Sequence, residues 1–278
     1  MGTLVKTKRR INSVTSTRKI TNAMELVASV KFRRYKNAMT SVDEYTHEIK
    51  EVVELLNSLI ETDDFIAKSK QTAKLYIIVN SNLGLCASYN NDIFRFASSL
   101  LKEQDEIIPL GLKGYNHYKN LNFKINDDYV TLNEKVIFDD INRFAQFILH
   151  EYQAKKYHTI SVIYMDYVNS LTFTPKVKQL LPIVDLANPK PSLLPPIIEP
   201  SPKALLTELT PIYLASQIYQ AIVVSQASEQ ASRRSAMEKA TDNADEILDQ
   251  LKLEYNKARQ GAITQEITEV ISGAGEFE

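Results

Sequence analysis

The stretch RRINSVTSTRKITNAMELVASVKFRR, residues 9–34, lies in a segment from Thr3 to Asp64 that contains neither glycine nor proline. Apolar residues recur along this segment in alternating steps of four and three, which is the spacing of a coiled-coil seam. The predicted seam residues are Ile20, Met24, Val27, Ala38, Val42, Tyr45, Ile49, Val52, Leu56 and Leu59. The pattern predicts one helix of about 55 residues, roughly 80 Å long. A helix of that length needs a partner of similar length.

The other end of the chain repeats the design, with a helix predicted from Ile212 to Ile271. Its predicted core positions are Met237, Ala240, Ala244, Ile247, Leu251 and Ala258, and Leu248, Tyr255 and Ala262 widen the stripe. Thr210 is the predicted N-cap and Pro211 the first helical residue, where a missing N–H costs little. A short helical turn at 204–209 is expected before it.

Short apolar, β-branched runs alternate with helical segments between the two long helices, which is typical of an α/β domain with a mainly parallel sheet. Predicted strands cover 74–80, 106–112 and 159–165, predicted helices cover 89–103 and 141–155, and an antiparallel edge strand is expected within 171–183. The predicted fold is therefore an α/β domain inserted between two long terminal helices that form an antiparallel coiled coil. The coiled coil comprises 1–64 and 203–278, and the α/β domain comprises 65–202.

Composition argues against several functional classes. No run of about 18 apolar residues could span a bilayer, and no secretory signal begins the chain, so we expect a cytoplasmic protein. The single cysteine, Cys86, excludes an internal disulfide and a four-thiolate zinc site. The turn NSNLGLCASYNND offers only Gly84 where a dinucleotide fingerprint needs several glycines. With no recognisable catalytic arrangement, we predict no enzyme activity, no cofactor and no metal.

The two ends of the chain carry opposite charge. Residues 1–36 hold ten Lys or Arg and one acid, whereas residues 228–278 hold eleven acids and six bases. A basic helix is compatible with nucleic-acid binding, because phosphate contacts dominate that affinity. The heptad seam continues from this region and the acidic C-terminal helix can face it, which favours a partner helix and leaves nucleic-acid binding as the alternative.

The terminal sequences identify a resemblance. RRINSVTSTRKITNAMELVASVKFRR (9–34), ASEQASRRSAMEKATDNADEILDQLKLEYNKARQGAITQEITEVISGA (227–274), the central GLC and PKALL (202–206) resemble the gamma subunit of F-type ATP synthases. The resemblance implies a non-catalytic central rotor shaft that couples ATP synthesis or hydrolysis to rotation and ion translocation. The implied partners are the alpha and beta catalytic-head subunits, the epsilon subunit and the membrane c-ring, with no nucleic acid and no small-molecule substrate of its own. The implied location is peripheral, on the inner face of the cell membrane.

The resemblance also implies contacts between rotor and stator. They fall on Met24, Arg233, Arg259, Gln260 and Thr264, with Glu266 and Glu269 in the same tail. The central turn departs from the family: Asn82 and Leu83 stand where Asp-Arg is usual, and Ala87 follows Cys86 where the family has glycine. A diverged rotor that drives another load remains an alternative, and the sequence does not decide between synthesis and hydrolysis or identify the coupling ion.

Overall fold

The computed structural model describes residues 2–60, 72–121, 123–133, 136–169, 172–183 and 197–274, with the side chains of 2, 3, 269 and 272–274 left out. Two long helices, α1 (Gly2–Ser58) and α5 (Pro202–Ala274), run through two compact units. One unit comprises Met1–Ser29 and Arg233–Glu278, and the other comprises Val30–Ser232. We refer to them as the coil unit and the sheet unit.

The two helices of the coil unit are antiparallel. Arg18 on α1 forms an ion pair with Asp245 on α5, with 2.5 Å between Nε and Oδ1. Thr21, further along α1, lies opposite Thr241, further back along α5, with 2.8 Å between their hydroxyl oxygens. The predicted antiparallel pairing is therefore confirmed.

The seam of this pairing differs in phase from the prediction. On α1 the buried residues are Thr7, Thr21 and Ala28, whereas Ile20 and Val27 are exposed. On α5 the buried positions are Met237, Thr241, Ala244, Leu248 and Leu251, and the predicted Ile247 is exposed. In the sheet unit, α1 likewise buries Val42, Thr46, Val53 and Leu56 but exposes the predicted Tyr45 and Val52. Leu59, just past the end of α1, is also exposed. The prediction was wrong at these exposed positions because threonines occupy several seam positions, so the buried face is not the most apolar one. The prediction holds at Val42, Leu56, Met237, Ala244 and Leu251, which are buried.

The sheet unit contains a five-stranded sheet in the order β3-β2-β1-β4-β5. Its strands are β1 (Lys74–Val79), β2 (Glu106–Leu110), β3 (Lys124–Ile125), β4 (Thr159–Tyr167) and β5 (Phe173–Leu181). The first four are parallel, and β5 pairs antiparallel with β4 at the edge, as predicted. Pro175 is tolerated in β5 because an edge strand need not donate every backbone hydrogen bond.

Helices cover both faces of the sheet, so alternate residues of each strand enter different cores. Leu75, Ile77 and Val79 of β1 pack with α4 (Phe138–Gln153) and with the α1 and α5 segments of this unit. Tyr76 and Ile78 pack on the other face with α2 (Tyr89–Ser98), and Tyr118 of α3 (Leu112–Tyr118) joins that core. The short elements α3 and β3 were not predicted from the sequence.

Helix α5 begins earlier than predicted, at Pro202, and Pro211 lies inside it. Thr210 is therefore not an N-cap, and its hydroxyl instead donates to the carbonyl of Leu206 at 2.7 Å. An internal proline removes one helical hydrogen bond at a cost of about 3 kcal/mol. The helix continues because the residues around the proline are buried: Leu206, Tyr213 and Leu214 all belong to the core. Tertiary packing of this kind outweighs the low helix propensity of a single proline. The division of the chain into 1–64 with 203–278 and 65–202 stays a prediction.

Candidate functional site

An apolar stripe lies on the outward side of α1 in the coil unit. Ile20 and Val27 are 60 and 56% exposed. Met24, one of the predicted contact residues, is half-buried between Ile20 and Val27 on the same helical face. Because the seam is formed by other residues, this stripe is available to a partner.

A second apolar stripe lies along the C-terminal end of α5. Residues 263–274, which we call the tail, include Ile263, Ile267, Val270 and Ile271, all exposed. Their spacing of four, three and one places them on one side of the helix. Register explains the exposure: α1 begins at Gly2, which by the pairing of Thr21 with Thr241 lies opposite residue 260. Within the described residues, the tail therefore extends past the start of α1.

The other predicted contact residues fall into two environments. Arg259, Gln260, Thr264 and Glu266 are exposed on the last turns of α5, and the Thr264 hydroxyl donates to the carbonyl of Gln260 at 2.9 Å. Arg233 is buried, with 6% exposure. The side chain of Glu269 lies outside the described residues. The structure thus brings four of the predicted residues together beside the tail stripe, and it places Met24 and Arg233 elsewhere in the coil unit.

The crevice at the carboxyl ends of β1 and β2, where dinucleotide folds bind their ligands, is filled by protein. The side-chain amide of Asn133 donates to the carbonyls of Asn80 at 2.7 Å and Leu110 at 3.2 Å. Gly111, with φ of 117°, brings its backbone against the Asn80 carbonyl. The Asn82 side-chain amide donates in turn to the side-chain oxygen of Asn133, Oδ1, at 2.9 Å. These contacts occupy the space that a phosphate would need.

Three serines of α5, which we call the serine row, attach this helix to the sheet unit. Ser225 is fully buried, lies 2.8 Å from the Tyr89 hydroxyl and accepts a hydrogen bond from the Met165 amide at 3.1 Å. The Ser228 hydroxyl lies 3.3 Å from the Met165 carbonyl and 3.0 Å from the Val224 carbonyl of its own helix. Ser232 donates to the Cys86 carbonyl at 2.8 Å. The sequence analysis missed the serine row. Its signal was the i, i+3, i+7 spacing of the serines, but small polar residues are more often exposed.

A polar chain also joins β5, α5 and α1 within the sheet unit. Lys178 Nζ donates to Gln220 at 3.0 Å, and Gln220 donates to Asp43 at 2.7 Å. Burial lowers the pKa of Lys178 and nearby Lys50 lowers it further, although Asp43 opposes the shift. On the same strand pair, burial raises the pKa of Tyr164 to about 12, with smaller contributions from Asp166 and Asp43.

The fold and the tail together define a class of protein, the central-stalk subunits of rotary ATP synthases. A chain of the Tetrahymena thermophila mitochondrial ATP synthase central stalk and c-ring structure is 25% identical, with a TM-score of 0.58, over 80% of this chain and 99% of that chain. A chain of the Euglena gracilis mitochondrial ATP synthase OSCP/F1/c-ring structure is 18% identical with a TM-score of 0.69, over 99% of this chain and 95% of that chain. The second likeness concerns the fold alone.

Sequence comparison identifies the family. A family model described as ATP synthase matches residues 3–275. The ATP synthase gamma chain of Mycoplasmopsis synoviae (strain 53) is 38% identical over 99% of both chains. That of Clostridium botulinum (strain Eklund 17B / Type B) is 36% identical over 98% of this chain and 97% of the other. The chain belongs to the ATP synthase gamma chain family. Its function as the central rotor stalk, predicted from the resemblance, is confirmed. Among the described residues, no helix combines the length and the apolar character needed to cross a membrane.

Proposed function

We propose that this chain is a non-catalytic rotor whose coil unit bears on the alternating alpha and beta subunits of the catalytic head. The exposed tail carries this proposal. A helix that displays Ile263, Ile267, Val270 and Ile271 leaves apolar area in water that association would remove. Burying such area is the main favourable term in protein association. The stripe on α1 around Met24 offers a second surface of the same kind.

The predicted foot, residues 65–202, is the part of the rotor that we assign to the epsilon subunit and the membrane c-ring. This assignment follows the predicted division into a shaft, 1–64 and 203–278, and a foot, 65–202. It makes the chain a peripheral protein on the inner, cytoplasmic face of the membrane. The filled crevice beside Asn133 supports a non-catalytic role, because the usual nucleotide position of such a sheet is occupied by side chains.

Arg259 and Gln260 are the residues that we assign to holding the tail against the head. Both are exposed donors on the last turns of α5, beside Thr264 and Glu266. A hydrogen bond to a charged group contributes about 1.5–3 kcal/mol. Losing roughly 3 kcal/mol would weaken the contact on the order of a hundredfold, although the apolar tail would retain part of the affinity.

The test compares the double variant Arg259→Ala with Gln260→Ala against Lys239→Ala with Asn243→Ala, an exposed cation and amide elsewhere on α5. Both isolated chains should keep their helix signal in circular dichroism, because exposed helix positions tolerate alanine. The first variant should lower assembly yield and rotation-coupled ATP turnover of the reconstituted complex, and the control should not. Equal yield and turnover would show that Arg259 and Gln260 form only a solvated face.

Two further measurements address the proposal as a whole. The isolated chain should hydrolyse no ATP, and turnover by the pure chain would contradict a non-catalytic role. The proteins that co-purify with it should include alpha, beta, epsilon and c-ring subunits. Recovery of the head without a c-ring would instead indicate a rotor that drives another load.

A further inference from the structure

The seam of the coil unit contains a buried polar layer. Thr21 and Thr241 are each 9% exposed, and their hydroxyl oxygens are 2.8 Å apart. Thr21 also lies 3.0 Å from the carbonyl of Arg18, and Thr241 lies 2.9 Å from that of Met237. Each hydroxyl has a single proton, so one threonine donates across the seam and the other donates to its own helix. If the two residues moved apart, each hydroxyl could still donate to its own helix, but the hydrogen bond between the helices would be lost.

The rest of the seam does not select one axial alignment. Buried positions recur every seven residues, at Thr7, Thr21 and Ala28 on α1 and at Thr241 and Leu248 on α5. Sliding one helix by a heptad therefore sets seam residues against seam residues again. Apolar burial is non-directional, so it changes little with such a slip.

The polar layer does select an alignment. A slip of one heptad in either direction separates Thr21 from Thr241 and sets each against a residue that is not its hydroxyl partner. The neighbouring pair of Arg18 with Asp245 adds to this selection. In one direction a slip brings Lys252 opposite Arg18, and like charges repel. In the other direction it brings Glu238 there, which is tolerated. The charges thus disfavour one slip, and loss of the hydrogen bond between the threonines disfavours both.

We propose that Thr21 and Thr241, assisted by Arg18 and Asp245, act as positioning residues that fix the axial register of α5 against α1. A buried polar residue at one seam position is a known means of specifying coiled-coil register, at some cost in stability. The consequence lies at the tail. A slip of seven residues shifts it by about 10 Å along the axis, which moves Arg259 and Gln260 by the same distance. The register itself does not depend on the proposed contacts with the head.

The experiment reads register by disulfide formation between reporter cysteines in the isolated full chain. Cysteines at Val14 and Leu248 report the native register. Cysteines at Val14 and Tyr255, or at Thr7 and Leu248, report the two one-heptad slips. The chain with only its buried Cys86 is the blank. With the native seam, only the first pair should crosslink above the blank.

The polar layer is then removed by Thr21→Val with Thr241→Val, because valine keeps the shape of threonine and suits seam positions. We expect at least one slipped pair to crosslink above the blank, with the helix signal unchanged. Thr21→Ser with Thr241→Ser, which restores the hydroxyls, should return crosslinking to the native pair alone. Thr17→Val, an exposed threonine on α1, should have no effect.

The proposal would be overturned if, in the double valine variant, neither reporter pair for a one-heptad slip formed more disulfide than the chain that contains only Cys86. If that variant lost its helix signal, the same reporters in Thr21→Val alone would decide, because Thr241 keeps its bond to the Met237 carbonyl. In the assembled complex, the double valine variant should lower coupled ATP turnover. Slipped crosslinks with normal turnover would retain the register role and instead contradict the proposed contact of the tail with the head.

Discussion

Ser225 is the residue of the serine row whose removal has the clearest expected cost. Strand β1 pairs with β4 only as far as Ile163, so the Met165 amide lies beyond the end of β1. That amide donates to Ser225 Oγ at 3.1 Å, and the Tyr89 hydroxyl lies 2.8 Å from the same atom. Ser225→Ala therefore leaves two buried polar groups without this partner.

The magnitude follows from those two groups. The Met165 amide left without its acceptor costs about 1–3 kcal/mol, the lost bond between Ser225 and Tyr89 costs about 1 kcal/mol, and alanine returns about 0.5 kcal/mol of helix propensity. We expect Ser225→Ala to destabilise the sheet unit by about 2–4 kcal/mol. Tyr89→Phe removes only a hydroxyl and leaves Ser225 bonded to Met165, so about 1 kcal/mol is expected. The double variant loses the bond between the two side chains only once, which predicts a coupling of about 1 kcal/mol.

The assay is urea unfolding followed by circular dichroism at the helix band, because the chain contains no tryptophan. Ser99→Ala is the matched control: its hydroxyl is exposed and donates to the carbonyl of Phe96. It should change the free energy of unfolding by less than about 0.5 kcal/mol. Additive costs for Ser225→Ala and Tyr89→Phe would refute the reasoning, since they would mean that the two side chains share no buried hydrogen bond.

Three further predictions concern the turns and α3 of the sheet unit. Ala87 has φ of 47°, a left-handed conformation that costs alanine about 1–2 kcal/mol. Ala87→Gly should therefore raise the urea concentration at the unfolding midpoint slightly. A lower midpoint would show that the turn is unstrained. Gly111→Ala should lower the free energy of unfolding by about 3 kcal/mol, because a Cβ would lie 2.3 Å from the Asn80 carbonyl oxygen. An unchanged urea midpoint would contradict this packing. Burial lowers the pKa of His117, whose ring stacks on Phe94 at 3.9 Å. As the pH falls, His117 takes up a proton at a higher pH in the unfolded chain than in the folded chain. The free energy of unfolding should therefore fall as the pH drops through about 6.5. His117→Gln should reduce that fall, and an equal slope in both chains would exclude His117 as its cause.

The elements built from strongly patterned residues could be predicted from the sequence. The runs KLYIIVN and TISVIYM are short and rich in β-branched residues, and both are strands. The long helices follow from an uninterrupted periodic segment at each end. The limits of α5 could not be predicted, because Pro211 is a local stop signal that only tertiary packing overrides.

The candidate site was predicted in part. Arg259, Gln260, Thr264 and Glu266 came from the family resemblance, and their exposure beside an apolar tail fits a contact surface. The stripe at Ile20 and Val27 was recognised as apolar but assigned to the seam. Periodicity gives the spacing of a helical face, but it does not say which of two adjacent faces meets the partner helix. When threonine occupies the inner face, the more apolar outer face is mistaken for the seam.

The serine row raises the question of why a buried helix should be polar. Between residues 221 and 232, α5 is buried on every side. An apolar helix in that position would also exclude water, but apolar contacts have little preference for one rotation about the helix axis. Hydrogen bonds are directional and weaken steeply away from their preferred angles. Ser232 donates to the Cys86 carbonyl and Ser225 accepts from the Met165 amide, so these two serines fix the rotation of α5 against the sheet. Their small size lets the backbones approach closely enough for those bonds to form.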